Sequence, residues 1–184
     1  MHQWNWHDFE KEESSDEPDP HDPYQAFTQN ETDEYVLREF WVGSRVDGFL
    51  YSIGFNRVSQ ESHLRLFVGD AEHDGKMISI PESAAWIVTF SLANSENFDH
   101  VKLNFRQKKD LIIGVASALY DHYNVSKSGL YLWKAARPEL NRVYNKALGL
   151  ARETPFKFKS IPLTKNFNEL GDAGRGYAII TQYY

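Results

Sequence analysis

The chain has 184 residues, 15% of them aromatic, no Cys, and a formal net charge of -6. That length suits one domain with a buried core, and the lack of Cys excludes disulfides, a thiolate zinc site and a cysteine nucleophile. No apolar run approaches the ~18 residues of a membrane span and no basic-then-apolar leader opens the chain, so the expectation is a cytoplasmic protein with no membrane partner.

Residues 1–34 hold eleven acids and one base, a net of -10. Glu10 to Pro20 is acidic and proline-punctuated, with little to bury against the entropy cost of ordering. Trp4, Trp6, Phe9, Tyr24 and Phe27 stud this stretch. The composition predicts a flexible acidic arm whose aromatics anchor it to a partner. That partner is another protein, or the chain's own basic half. Residues 101–175 carry fourteen bases and six acids, a net of +8.

The body opens with strands. Tyr35–Val42 is aromatic and β-branched, and Phe49, Tyr51, Ile53 and Phe55 alternate with other residues, the period of a half-buried strand. Asp47-Gly48 reads as a turn ahead of it. His63–Val68 is read as another alternating strand, with a turn at Asp74-Gly75. Trp86–Leu92 is nearly all apolar, as in a central strand covered on both faces. Val101, Leu103 and Phe105 alternate again and predict a short strand.

From about Gln107 to Tyr123 the period changes to that of an amphipathic helix, with Leu111, Val115 and Leu119 on one face. Gly114 in its middle predicts a close backbone approach. Leu130–Trp133 reads as a strand. A second helix is expected over about 138–152, with Pro138 at its first position and Leu140, Tyr144, Ala147 and Leu148 on its buried face. Phe156–Leu163 reads as an edge segment because of Pro162, and Tyr177–Tyr183 as a closing strand. The fold class that follows is α+β: a mixed, mostly antiparallel sheet with two amphipathic helices packed on it, as one domain over 35–184 behind the arm.

No assembled catalytic set or metal-ligand spacing stands out. His73 beside Glu72 and Asp74 sits in a turn without a ligand pattern. The glycines of 171–176 lead into a strand, not a helix N-terminus, so they form no phosphate cradle. Arg106, Lys108, Lys109, Arg137, Arg142 and Lys146 form a candidate basic surface, with nucleic acid as its possible partner. Tyr131 and Trp133 would supply stacking platforms there.

Leu130-Tyr131-Leu132-Trp133-Lys134-Ala135-Ala136, followed by Arg137-Pro138-Glu139-Leu140-Asn141-Arg142-Val143-Tyr144-Asn145-Lys146-Ala147-Leu148-Gly149-Leu150, resembles the C-terminal strand-helix unit of GCN5-related N-acetyltransferases. The preceding order, Trp86–Leu92 and then a helix over 107–123, also loosely fits, and together the resemblance covers about a quarter of the chain. It implies an acetyltransferase-like fold, acetyl-coenzyme A as cofactor and Tyr144 where that family often has its general acid. The connection from Phe98 to Arg106 has no glycine, and close approach of backbone to a pyrophosphate favours one. The sequence therefore predicts a non-catalytic interaction or assembly protein without cofactor or metal, working through its arm or its basic half. An acetyltransferase-like enzyme and a nucleic-acid-binding module are the alternatives. Whether Trp86–Leu92 and Leu130–Trp133 separate into a coenzyme slot decides between the first two.

Overall fold

The computed structural model describes residues 27–31, 34–44, 46–93, 101–134, 145–146, 148–149, 158–163 and 176–184. The architecture is α+β. Seven strands form one sheet in the order β1-β2-β3-β6-β7-β9-β8. They are β1 (Phe27–Glu31), β2 (Tyr35–Val42), β3 (Phe49–Arg57), β6 (Ala85–Leu92), β7 (Leu130–Lys134), β8 (Phe158–Leu163) and β9 (Gly176–Thr181). Among the described strands only β6 and β7 run parallel; the other neighbours are antiparallel. The mixed, mostly antiparallel sheet is the one the sequence predicts.

Each face of the sheet has its own core. On one face, helix α2 (Phe105–Ser126) packs Leu111, Val115, Ala118 and Leu119 against Phe40, Phe55, Val88, Tyr131 and Ile179. Residues 145–146 and 148–149 are helical, and Leu148 joins this core; the rest of the second expected helix, Tyr144 included, lies outside the described residues. On the other face, helix α1 (Glu61–Val68) buries Leu64 and Val68 against Ala85, Leu130, Leu132 and Ile180. A small hairpin follows α1, β4 (Glu72–His73) and β5 (Lys76–Met77), turning at Asp74 (φ 51) and Gly75 (φ 78). Two positive φ values are what a tight type I′ hairpin needs, so the Asp-Gly turn stands as expected.

Gly114 is the close approach of α2 to the sheet. A Cβ there would lie 2.2 Å from Cδ2 of the Phe40 ring. The Gly43 N–H donates to Asp110 Oδ2 at 3.1 Å, which ties the end of β2 to the first turns of the helix.

Three expectations are corrected. His63–Val68 is helix, not strand. Its two buried residues, Leu64 and Val68, are four apart, a spacing that both periods contain, while Leu66 is 69% exposed. The helix carries an i, i+4 Glu61–Arg65 ion pair at 3.5 Å and ends at Gly69, whose N–H reaches Arg65 O. Val101–Phe105 is not a strand either. Asn104 accepts from Gln107 N–H and the Gln107 side chain accepts from Asn104 N–H, both at 2.9 Å. This capping box starts α2 at Phe105, because reciprocal bonds satisfy two N–H groups that a helix start otherwise leaves without intrahelical acceptors. Finally, Phe27–Glu31, read as part of the arm, is an edge strand on β2, with Phe27 opposite Glu39.

Candidate functional site

Two places in this fold bring chemistry together. The first is the parallel pair. β6 and β7 are in register from Ala85 opposite Leu130 to Val88 opposite Trp133. Every residue of Leu130–Trp133 is thus paired with β6. β6 runs on to Leu92 beside β3, while β7 pairs with β9 as far as its last residue, Lys134. The carboxyl end of such a pair is the side on which parallel sheets bind ligands.

α2 begins at that same end of the sheet. Its first turns present Arg106, Lys108 and Lys109, all exposed, and its first turn carries no acid. The helix dipole disfavours cations at an N-terminus, by ~0.3–1 kcal/mol each. Three of them together make a cationic rim at the carboxyl end of β6.

The second place is a cavity of about 410 Å³ under the C-terminal end of α2. β2 contributes Arg38, which sits in the inward phase of an alternating strand and is buried. β6 contributes Trp86, and α2 contributes His122 and Ser126. The His122 ring is clamped, with Phe55 stacked on it at 4.1 Å and Trp86 edge-on at 4.7 Å. Its Nδ1 lies 2.9 Å from Tyr131 Oη and 3.2 Å from Ser126 Oγ. Ser128 donates to Ser126 at 2.7 Å and so continues the chain of hydroxyls.

Burial, and secondarily the Arg38 charge, hold the His122 imidazole down at about 3, while burial pushes the Tyr131 phenol up to about 12. Both groups are neutral at pH 7. The neutral ring either accepts the phenol proton at Nδ1 or donates from Nδ1 to the phenol oxygen, and the Ser126 hydroxyl 3.2 Å from that oxygen can complete either arrangement. The indole N–H of Trp86 is buried without a hydrogen-bond partner among the described residues. Beside it Ala84, also in the cavity wall, holds φ at 91. That region is strained for any residue with a Cβ.

The sequence-derived site residues fall differently. Trp4, Trp6, Phe9 and Tyr24 lie outside the described residues, as do Arg137, Arg142 and Tyr144. Phe27 heads the edge strand β1. Lys146 is exposed. Tyr131 and Trp133 are not stacking platforms: they are 0% and 4% exposed, because β7 is flanked by β6 and β9 and covered by the core of the α2 face. The described bases are also spread out. Lys127 caps the far end of α2 from Arg106, and Lys159 on β8 bonds Asp74 at 3.1 Å.

Sequence reasoning missed Arg38 and His122. Each left a signal: Arg38 falls between Val36 and Phe40 in the inward register of β2, and His122 falls three residues after Leu119 on the apolar face of α2. Among the described residues no cluster of His, Asp or Glu is arranged to hold a metal, and no helix is long and apolar enough to cross a membrane. No protein family, curated protein or solved structure matches this chain.

Proposed function

We propose that this chain is an acetyltransferase-like protein that takes an acyl-coenzyme A at the carboxyl end of the parallel pair β6 and β7. The observation that supports the reading is one parallel pair among the described strands, β6 and β7, bridged by α2, whose exposed Arg106, Lys108 and Lys109 stand at the carboxyl end of β6. Leu130–Trp133 is paired with β6 throughout, so any coenzyme would have to lie beyond Trp133. The cationic rim of Arg106, Lys108 and Lys109 stands in for the glycine-rich turn the chain lacks. Side-chain charges would hold the diphosphate where backbone amides have less access, the Gln107 N–H being already used by Asn104. Binding is therefore electrostatic in character and weakens with salt.

Titration calorimetry with acetyl-coenzyme A tests this. The expected dissociation constant is on the order of 100 μM at low salt, about -5.5 kcal/mol. Neutralising Arg106, Lys108 and Lys109 together to Gln should weaken it at least about tenfold. No heat at millimolar ligand would return the chain to the non-catalytic reading. In the acetyltransferase reading Tyr144 is the general acid, so Tyr144→Phe should abolish acetyl transfer and leave coenzyme affinity unchanged. An unaltered rate would make Tyr144 a packing residue.

A second reading has its own observation. The last residues of the acidic arm, Phe27–Glu31, pair as a strand with β2 at the sheet edge opposite β8. Strand addition of this kind fixes the root of an arm, and residues 1–26, which precede it in the sequence, are net acidic and carry Trp4 and Trp6. In this reading the arm is a protein-docking peptide. Deleting residues 1–26 should abolish partner recovery in a pull-down and leave the melting temperature unchanged. Equal recovery of the same partners without the arm would reduce it to a solubilising tail.

A further inference from the structure

We propose that residues 8–22, the acidic stretch of the arm, dock in cis on the surface around the start of α2 and cover Lys102, Arg106, Lys108 and the exposed Phe105. The inference shares cations with the acyl-coenzyme A reading and does not rest on it. If that reading holds, the arm and the diphosphate compete for one surface, and the contact is autoinhibitory.

The surface suits an anionic, aromatic occupant. Residues 101–109 hold four bases and no acid. Lys102, Arg106 and Lys108 are exposed and form no ion pair among the described residues. The first acid of the helix, Asp110, already accepts the Gly43 N–H. Two apolar side chains stand bare at this end of the sheet: Phe105 is 87% exposed, and Val46, in the connection from β2 to β3, is 97% exposed. The topology brings the arm to the same place. β1 runs antiparallel to β2, with Glu31 opposite Val36 and Phe27 opposite Glu39. The chain therefore enters β1 from the carboxyl end of β2. Gly43 follows that end, and its bond to Asp110 ties it to the first turns of α2. From Glu39 to Gly43 is only ~13 Å of strand. Asp22, Asp19, Glu17 and Asp16 precede Phe27 by five to eleven residues, ~17–37 Å of extended chain, which is enough to reach the cations. Residues 8–22 carry eight acids and one base, a net of -7, with Trp6 and Tyr24 on either side. Each exposed charge pair is weak alone, but tethering holds the arm at an effective concentration on the order of millimolar.

The chain has no Cys, so Ser15→Cys in the full chain gives a single attachment point for a nitroxide. Loss of ¹H–¹⁵N intensity relative to the reduced label reads which amides the arm approaches. The expected result at low salt is loss at Val46, Lys102, Phe105, Arg106 and Lys108, and none at Val125 and Lys127 at the far end of α2. A mixture of ¹⁵N chain without nitroxide and nitroxide chain without ¹⁵N should show no loss, because the contact is in cis. The triple Gln variant at Lys102, Arg106 and Lys108 should recover the intensity. Its melting temperature should not fall, since these side chains are exposed and the helix dipole disfavours cations at a helix start. About 1 M NaCl, which screens exposed charges beyond ~3 Å, should also recover it. Full intensity around Phe105 at low salt would overturn the proposal, as would a loss that survives the triple variant. An equal loss in the mixed sample would overturn it too, by giving the surface to the arm of a second copy. No coenzyme is present, so this result is independent of the acyl-coenzyme A reading.

Discussion

Replacing Gly114 by Ala asks whether α2 rests on the sheet where the structure places it. On an exposed helix surface the change should stabilise by ~1 kcal/mol, because Ala is the better helix former. Here the new methyl would sit 2.2 Å from Cδ2, 2.4 Å from Cε2 and 2.9 Å from Cγ of Phe40, whose side chain is 0% exposed. The ring has no free volume to move into, so the helix must lift or the core must shift. Overpacking of this kind costs ~1–3 kcal/mol. A clash against three ring atoms belongs at or above the upper end, and the propensity gain offsets about a third of it. The net expectation is a loss of ~2 kcal/mol. Urea denaturation of Gly114→Ala, Phe40→Leu and the double variant measures it. The smaller Leu side chain makes room for the methyl, so the double variant should be more stable than the sum of the singles by ~1–3 kcal/mol. A stabilising Gly114→Ala, or strict additivity with Phe40→Leu, would refute the packing of α2 on β2.

Asn104→Ala should cost ~1 kcal/mol by removing the cap of α2, read from the same urea curves; no loss would remove the reason for the helix to start at Phe105. Ala84→Gly should raise stability by ~1 kcal/mol, since glycine tolerates φ of 91 at a lower cost than alanine; a loss would show that the backbone there is unstrained. His122 sets an acid limit. Its folded pKa is depressed from 6.5 to about 3, so the unfolded chain binds the proton more readily. Its contribution to stability is complete above the unfolded value and is lost as pH falls from 6.5 toward 3, with a slope approaching ~1.4 kcal/mol per pH unit. His122→Gln should be less stable at neutral pH and flatter across that window; an unchanged slope would place the acid sensitivity elsewhere.

Much of the fold was legible because one face of most strands is buried. β2, β3 and β6 repeat at period 2 or are apolar throughout, and the stripe of α2 runs from Leu111 to Tyr123, more than three turns. Gly114 was legible for the same reason: a glycine inside a strong helical stripe needs a steric cause. α1 was not legible, because eight residues with buried positions four apart satisfy strand and helix periods alike. The start of α2 was missed because apolar alternation at Val101, Leu103 and Phe105 outweighed the capping pattern of Asn104 and Gln107. The cavity was beyond the sequence for a different reason. Arg38, Trp86 and His122 come from three elements that meet only in the folded sheet. What the sequence did contain was each residue's breach of its own pattern, a charge in the inward phase of β2 and an imidazole on the apolar stripe of α2.

The central claim is that the carboxyl end of the parallel pair β6 and β7, beside the cations of α2, takes an acyl-coenzyme A. The direct measurement is a ¹H–¹⁵N titration of the full chain with acetyl-coenzyme A, read at the backbone amides of Thr89, Phe90, Ser91, Leu92, Trp133 and Lys134. The account predicts that these amides shift together and saturate at sub-millimolar ligand, with Arg106 and Lys108 moving on the same curve and the Trp86 indole unmoved. Unchanged amides at millimolar acetyl-coenzyme A would contradict it, leaving the parallel pair as a feature of the sheet alone.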